Sequence, residues 1–297
     1  MNKDLIKQRV YQQGRDIEVA QYNYFFEKDD NESVPIALSL YQNEDGGFGG
    51  DLEPDSMNPN SSPFQTSVAL EILTDVGFRS NNLDEFTEDM VLKATEYLIE
   101  ILDNDIWGIT IPSNDEHSCA PWWRHREVQS EINPTASILA SLLLLLNIGD
   151  IFTNSIEFLS RNLLETYLEI DVEDKHELAC LIRLHQAIRE LGILEDLEPR
   201  IYDKLKEDIG KSISPIDSWT SGYVNFPFDY PIYNETYGLN ESLIKENIKH
   251  LEKTLVRDHW NINWEWGNDD PAFEMQAIKW QSILAIKNLR FLQKFQK

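Results

Sequence analysis

Apolar side chains recur along most of this chain at a spacing of three and four residues. Val91, Ala94, Tyr97, Leu98 and Ile101 form one such stripe, as expected for helices that bury one face. Leu178, Leu181, Ile182, Leu184, Ile188 and Leu191 form a second, and Ile244, Ile248, Leu251 and Leu255 a third. Ile278, Ile283, Leu284, Ile286 and Leu289 form a last one near the end of the chain. Strict alternation, the mark of a half-buried strand, is almost absent. The pattern predicts helices over 3–26, 33–42, 63–77, 88–102, 134–148, 153–169, 174–191, 195–209, 241–256 and 271–295. The longest apolar run, Ile138 to Ile148, is too short for a bilayer, which needs about 20 residues. It reads as a buried helix, and no integral membrane segment is expected.

The connections alternate in character. Some are short, such as Asn147–Asp150 and Glu190–Ile193, while the segments 43–62, 103–133, 211–240 and 257–270 are long and rich in aromatic residues, Gly, Asn and Pro. Loops of that length usually carry function. Three of the helices that follow long loops begin at a proline with an alanine six residues on: Pro63 and Ala69, Pro134 and Ala140, Pro271 and Ala277. Proline suits a first helical turn, where its missing N–H has no partner in any case. The prolines are spaced 71 and 137 residues apart, which suggests a degenerate repeat of about 70 residues. Repeated helical hairpins stack into an open solenoid or close into a ring. Short turns at one end and long aromatic loops at the other favour the ring. With no composition break to mark a linker, the expected fold is all-α: one α/α toroid, 1–297, of about five or six hairpins.

Charge narrows the partners. The chain of 297 residues carries 52 Asp and Glu against 26 Lys and Arg, a formal charge of −26. That field repels phosphate backbones and anionic lipid, so a small molecule is expected rather than nucleic acid. The first residues, MNKDLIKQRVYQQGRD, lack the apolar core of a secretory signal. The two cysteines, Cys119 and Cys180, stand far apart and outside any metal-ligand spacing. A cytoplasmic protein without a cofactor or a structural metal is therefore expected, with its oligomeric state open.

Residues 42–50 read Gln-Asn-Glu-Asp-Gly-Gly-Phe-Gly-Gly. This segment resembles the Q-x-x-D-G-x-W repeat motif of squalene and oxidosqualene cyclases, with Phe48 where the motif has Trp. It is also similar to the Gly-Gly-Phe-Gly-Gly segment of protein prenyltransferase β-subunits. Asn43 to Leu73, with Leu52-Glu53-Pro54-Asp55 and Ser61-Ser62-Pro63-Phe64-Gln65-Thr66, resembles a group of bacterial prenyltransferase- or terpene-cyclase-like proteins. His117 to Trp123, H-S-C-A-P-W-W, is similar to a second mark of that group. The resemblance covers about 80 residues and implies an α/α toroid that binds an isoprenoid-type ligand, with possible acid-initiated cyclisation. The Asp-x-Asp-Asp acid motif of the cyclases and the zinc ligands of protein prenyltransferases have no match here. Read on its own, the glycine run suits a tight helix-to-loop reversal, with Gln42 bonding free carbonyls and Phe48 packing on the next hairpin.

Chemistry is expected at Glu53, Asp55 and His117. Two crowded carboxylates cannot both ionise easily, so one would serve as an acid; both could equally be solvated or cap the next helix. His117 opens the one compact basic and aromatic cluster, with Trp122, Trp123, Arg124 and Arg126. These could line a pocket and hold an anion, or pack the loop, with the arginines paired to Glu127 and Glu131. Seven of the eight tryptophans lie in the long loops. Trp107, Trp122, Trp123, Trp219, Tyr230, Trp264 and Trp266, with Arg124, are the candidate ligand-binding side chains. An aromatic cavity suits a carbocation. It also suits a carbohydrate, through Trp platforms and a carboxylate pair on an α/α barrel, and a protein that binds a ligand without turning it over.

Overall fold

The computed structural model describes residues 1–147, 151–220, 222–267 and 271–296. Its described residues are all-α, with eleven helices and no strand beyond isolated bridges. They are α1 (Lys3–Gln13), α2 (Asp16–Phe26), α3 (Ser33–Leu38), α4 (Pro63–Asp75), α5 (Glu85–Glu100), α6 (Thr135–Leu145), α7 (Ile151–Leu168), α8 (Lys175–Leu191), α9 (Glu198–Ser212), α10 (Glu241–Thr254) and α11 (Ala272–Phe295). Short 3-10 turns punctuate the long loops, among them Pro112–Glu116, Pro121–Trp123 and Pro227–Asp229.

The helices follow the apolar stripes closely, with one correction. The expected helix 3–26 is two, broken at Gly14, whose backbone turns extended with φ −71° and ψ 151°. Glycine is a poor helix former, and Arg15 starts α2 with both its backbone N–H, at 2.9 Å, and its guanidinium donating to the Glu18 carboxylate. The predicted α6 over 134–148 ends at Leu145. Residues 148–150 of the predicted short turn and 268–270 of the last long loop lie outside the described residues. Prolines mark the three expected starts: Pro63 is the first residue of α4, while Pro134 and Pro271 stand just before α6 and α11.

Every residue of α6 is buried, so this helix is wrapped on all sides, as an all-round apolar helix must be. It packs against α4, α7 and α8, while α8 also packs on α9. At the other end of the chain, α11 packs on both α1 and α2, so the first and last helices meet. The long segments 43–62 and 103–133 and the segment ending at Pro271 all lead into the N-termini of α4, α6 and α11.

Asp75, at the end of α4, ties three helices together. It accepts from Arg183 of α8 at 2.8 Å and from Arg290 of α11 at 2.7 Å. Arg183 also pairs with Glu71 at 2.9 Å, and the Arg290 guanidinium sits 4.0 Å from the Phe25 ring centroid. Burial alone would raise the Asp75 pKa, but the two guanidiniums outweigh it and hold the carboxyl well below its usual range. The stabilisation is thus present above the ordinary carboxylate range and is lost only as pH falls through the depressed value. Asp75→Ala strands Arg290 and leaves Arg183 with Glu71, and is expected to cost roughly 2–4 kcal/mol, read as a lower urea midpoint; a loss under about 0.5 kcal/mol would show the network to be idle.

The glycine run of residues 46–50 forms the tight reversal expected of it. Gly46 has φ 87°, and a Cβ there would strike the Lys93 backbone carbonyl. A Cβ on Gly49 would come 2.5 Å from the Asn60 carbonyl oxygen. Gln42 donates from its amide to the carbonyls of Gly46 and Met90, both at 2.9 Å. Phe48 is fully buried in the main core.

Candidate functional site

The turn delivers residues 51–56 to a place where four elements hold them. Arg15 of α2 donates to the carbonyls of Asp51 at 2.5 Å and Leu52 at 3.3 Å. Lys279 of α11 pairs with the Asp51 carboxylate. Gln65, in the first turn of α4, accepts from the Glu53 backbone N–H at 3.2 Å and donates to the Ser56 carbonyl at 3.3 Å. The loop also pairs with the H-S-C-A segment: Ala120 N–H donates to the Asp55 carbonyl at 2.8 Å and Met57 N–H to the Ser118 carbonyl at 3.0 Å.

Asp55 is the centre of a tryptophan cluster. Its Oδ1 accepts from the indole N–H groups of Trp266 at 2.9 Å and Trp280 at 3.0 Å, and its Oδ2 accepts from Trp264 at 3.0 Å. The residue is only 3% exposed. Burial raises its pKa even though the three indole bonds act to lower it. Glu53, one proline away, is half-buried and differs in its electrostatics. Desolvation, and then the neighbouring Asp55 charge, push its pKa to about 8 against the lesser pulls of the Asp55 backbone N–H and of Arg15. At neutral pH Glu53 is therefore mostly a neutral acid beside a committed carboxylate.

Trp264 and Trp280 meet edge to face, with centroids 5.1 Å apart, and both line a cavity of about 510 Å³. Their N–H edges are anchored on Asp55, so the carboxylate sets the orientation of this wall. A second group of lining side chains is aromatic as well. Phe226 stacks on Phe228 at 4.9 Å and on His250 at 4.7 Å, and Trp219 packs edge-on against Phe226 at 5.4 Å. Tyr223 stands at the exposed side, 53% accessible, with its ring edge-on to Trp264. Its hydroxyl is 2.8 Å from His176 Nε2. Desolvation, and then the charges of Asp229, Asp174, Glu53 and Asp55, raise the Tyr223 pKa, so this phenol links the cavity to the Glu53–Asp55 loop. Desolvation lowers the pKa of His176, which favours a neutral imidazole at pH 7.

The structure brings some of the candidate side chains together and leaves others apart. Trp219 and Trp264 line the cavity, and Trp266 shares Asp55 with Trp264. Trp123 is buried with Cys119, Ala120 and Trp266 in a small separate core, 4.5 Å from Phe64. Trp122 beside it is 39% exposed. His117 is half-buried on the strand-like stretch that runs beside residues 55–57, outside the cavity wall. Arg124 donates to the backbone carbonyls of Asp115 at 2.9 Å and Asn114 at 3.3 Å, staying with its own loop. Trp107 is buried and donates to the Leu98 carbonyl at 2.8 Å. Tyr230 is buried with its hydroxyl 2.7 Å from Ser212 Oγ. Among the described residues no group of three or more His, Cys, Asp or Glu is placed to hold a metal ion, and no helix is long and apolar enough to cross a membrane.

Sequence reasoning missed Lys175, His176, Asp229, Trp280 and Lys287. Two signals mark four of them in retrospect, and Asp229, in the Pro227–Asp229 turn, carries none. Trp280, Ile283, Leu284 and Lys287 follow the i, i+3, i+4, i+7 rule and so share one face of α11. Lys175 and His176 directly follow Asp174, whose carboxylate caps α8 by accepting from the His176 and Glu177 N–H groups at 2.8 and 3.1 Å, which places them at a helix start. Comparison with known proteins adds no relative: no protein-family model matches this chain, and no curated protein or solved structure matches it.

Proposed function

We propose that this chain is an α/α-toroid protein of prenyltransferase- or terpene-cyclase-like character, whose cavity holds an apolar, isoprenoid-type small molecule and whose Glu53 is the proton donor. The observation that carries this reading is the division of labour between the two carboxyls. Asp55 spends both oxygens on three indole donors. Glu53, beside it, keeps its proton near neutral pH. A paired-carboxylate glycoside hydrolase needs two free carboxyls across the scissile bond, and this loop offers one. The aromatic faces of Trp264, Trp280, Tyr223 and Phe226 suit a cationic intermediate, which ring quadrupoles attract.

In the chemistry proposed, the Glu53 O–H bond breaks and its proton goes to an alkene carbon. The alkene π pair forms the new C–H bond, leaving a tertiary cation on the ligand and a carboxylate on Glu53. The Asp55 charge opposes that carboxylate, which holds the proton on Glu53 at neutral pH, and the cation formed on the ligand then offsets the charge left behind. Packing of α1 and α2 on α11 supports the closed ring, as do the long loops gathered at the N-termini of α4, α6 and α11.

The test is ligand class. Farnesol is expected to quench the tryptophan fluorescence saturably at one site per chain, and maltohexaose to leave it unchanged. Mass spectrometry of solvent extracts of the purified protein is expected to show a co-purified isoprenoid. Saturable quenching by the oligosaccharide and none by farnesol would replace this reading with the carbohydrate one.

A further inference from the structure

One end of the cavity is charged in a way that the aromatic walls do not explain. Lys175, the first residue of α8, and Lys287, on α11, share a single carboxylate. Lys287 Nζ is 3.1 Å from Asp229 Oδ1, and Lys175 Nζ is 3.4 Å from Asp229 Oδ2. All three residues line the cavity. Two ammonium groups on one carboxylate leave an excess of one positive charge, inside a protein of net charge −26.

The neighbouring acids offset it only in part. Asp174 also pulls on the Lys175 ammonium, but its carboxylate is bonded to the backbone N–H groups that start α8, where part of its charge answers the helix dipole. Glu53 is mostly neutral at pH 7, and Asp55 faces three indoles. The two lysines differ in their access to water. The Lys287 side chain is 32% exposed, while that of Lys175 is 10% exposed, with its ammonium 3.7 Å from the Tyr223 ring centroid and 3.3 Å from the Val224 carbonyl. Desolvation lowers its pKa, against the pull of Asp229. A half-compensated cation in an aromatic pocket is costly unless something negative joins it.

A second observation points the same way. Asn288, next to Lys287 and 1% exposed, also lines the cavity, and its side-chain oxygen has no hydrogen-bond partner. A buried amide oxygen without a partner is a place that a bound molecule can satisfy. Turned by half a rotation, the same amide presents its NH2 group to an acceptor.

We propose that the Lys175–Asp229–Lys287 end of the cavity binds the monoanionic head of the ligand, a carboxylate, while the Trp264, Trp280 and Phe226 walls hold its apolar body. One excess charge matches one carboxylate. A diphosphate brings two or three negative charges and would leave most of them unpaired in a confined site. The inference rests on the reading of the cavity as an isoprenoid site and adds the head group to it.

Three probes share one body and differ only in the head: farnesoic acid, farnesol and farnesyl diphosphate. Titrated against the full chain at pH 7.5 by tryptophan quenching, farnesoic acid is expected to bind at least roughly tenfold tighter than farnesol. That preference should shrink as salt rises. In Lys287→Met the ratio of acid to alcohol affinity should collapse to near one, with far-UV circular dichroism checking the fold. Should that variant unfold, the salt dependence of the wild-type ratio decides alone. Equal affinity for acid and alcohol in the wild type overturns the head-group proposal and leaves the isoprenoid reading standing. Tightest binding by the diphosphate overturns the monoanion. Failure of all three probes removes both readings together.

Discussion

Asp55→Ala is expected to be the most destabilising substitution in the chain, lowering the unfolding free energy by roughly 3–5 kcal/mol in urea melts. The carboxylate is the common acceptor for Trp264, Trp266 and Trp280. Removing it leaves three indole donors without their acceptor: Trp266 is buried and keeps its full desolvation cost, while Trp264 and Trp280 line the cavity and lose the bond that fixes them. The effect should also be visible in the tryptophan emission, shifted to longer wavelength as Trp264 and Trp280 lose their fixed place in the cavity wall. Asp55→Asn should fall between the two, because its single oxygen can still accept while its NH2 group faces a donor. A loss below about 1 kcal/mol for Asp55→Ala would mean that packing alone holds the indoles.

Glu53→Gln should separate stability from function. The folded protein holds the Glu53 proton up to about pH 8, against 4.5 for the ordinary carboxyl. Over that interval the unfolded chain has released a proton that the folded chain still binds, so wild-type stability falls as pH rises. Below the ordinary value the group contributes no slope, and above about 8 the full cost of burying the charge is present. Glutamine imitates the protonated form at every pH. The variant should therefore match wild type near pH 4 and exceed it at pH 9 by on the order of 2–4 kcal/mol. If Glu53 is the proton donor, the same substitution removes acid-dependent turnover by roughly 10²- to 10⁴-fold. Parallel stability curves for the two proteins across this range would show that the Glu53 carboxyl is not perturbed, and the proton-donor role would go with it.

Local patterns were enough for the helices and for the glycine turn. The stripe Leu178 to Leu191 is α8 because a helix with that spacing must bury one face, and the spacing is written in consecutive residues. Gln42 and Phe48 were legible for the same reason, since their partners Gly46 and the next hairpin are near in the chain. The break at Gly14 was not seen, because one glycine lowers helix propensity without dictating a stop. His117 and Arg124 looked as chemical in sequence as Glu53 did. The fold keeps all three off the cavity lining; Arg124 bonds to its own loop, whereas Glu53 stands beside Asp55, whose carboxylate holds two tryptophans of the wall.

The sequence by itself determined the all-α class, the turn at residues 42–50, the loops rich in tryptophan and the acid pair Glu53–Asp55. Each follows from residues within a few positions of one another, where periodicity and backbone freedom act directly. Only the tertiary structure decided which acid is committed and which is free. That choice depends on Trp280, which lies 225 positions from Asp55, and on Arg15 and Lys279, which hold the loop from opposite ends of the chain. The same holds for the charged end of the cavity. Lys175, Asp229 and Lys287 meet only because α8, the 226–229 turn and α11 pack together, and the excess of one charge arises from that meeting. Distance through space sets a pKa or a hydrogen bond, and distance along the chain carries no information about it.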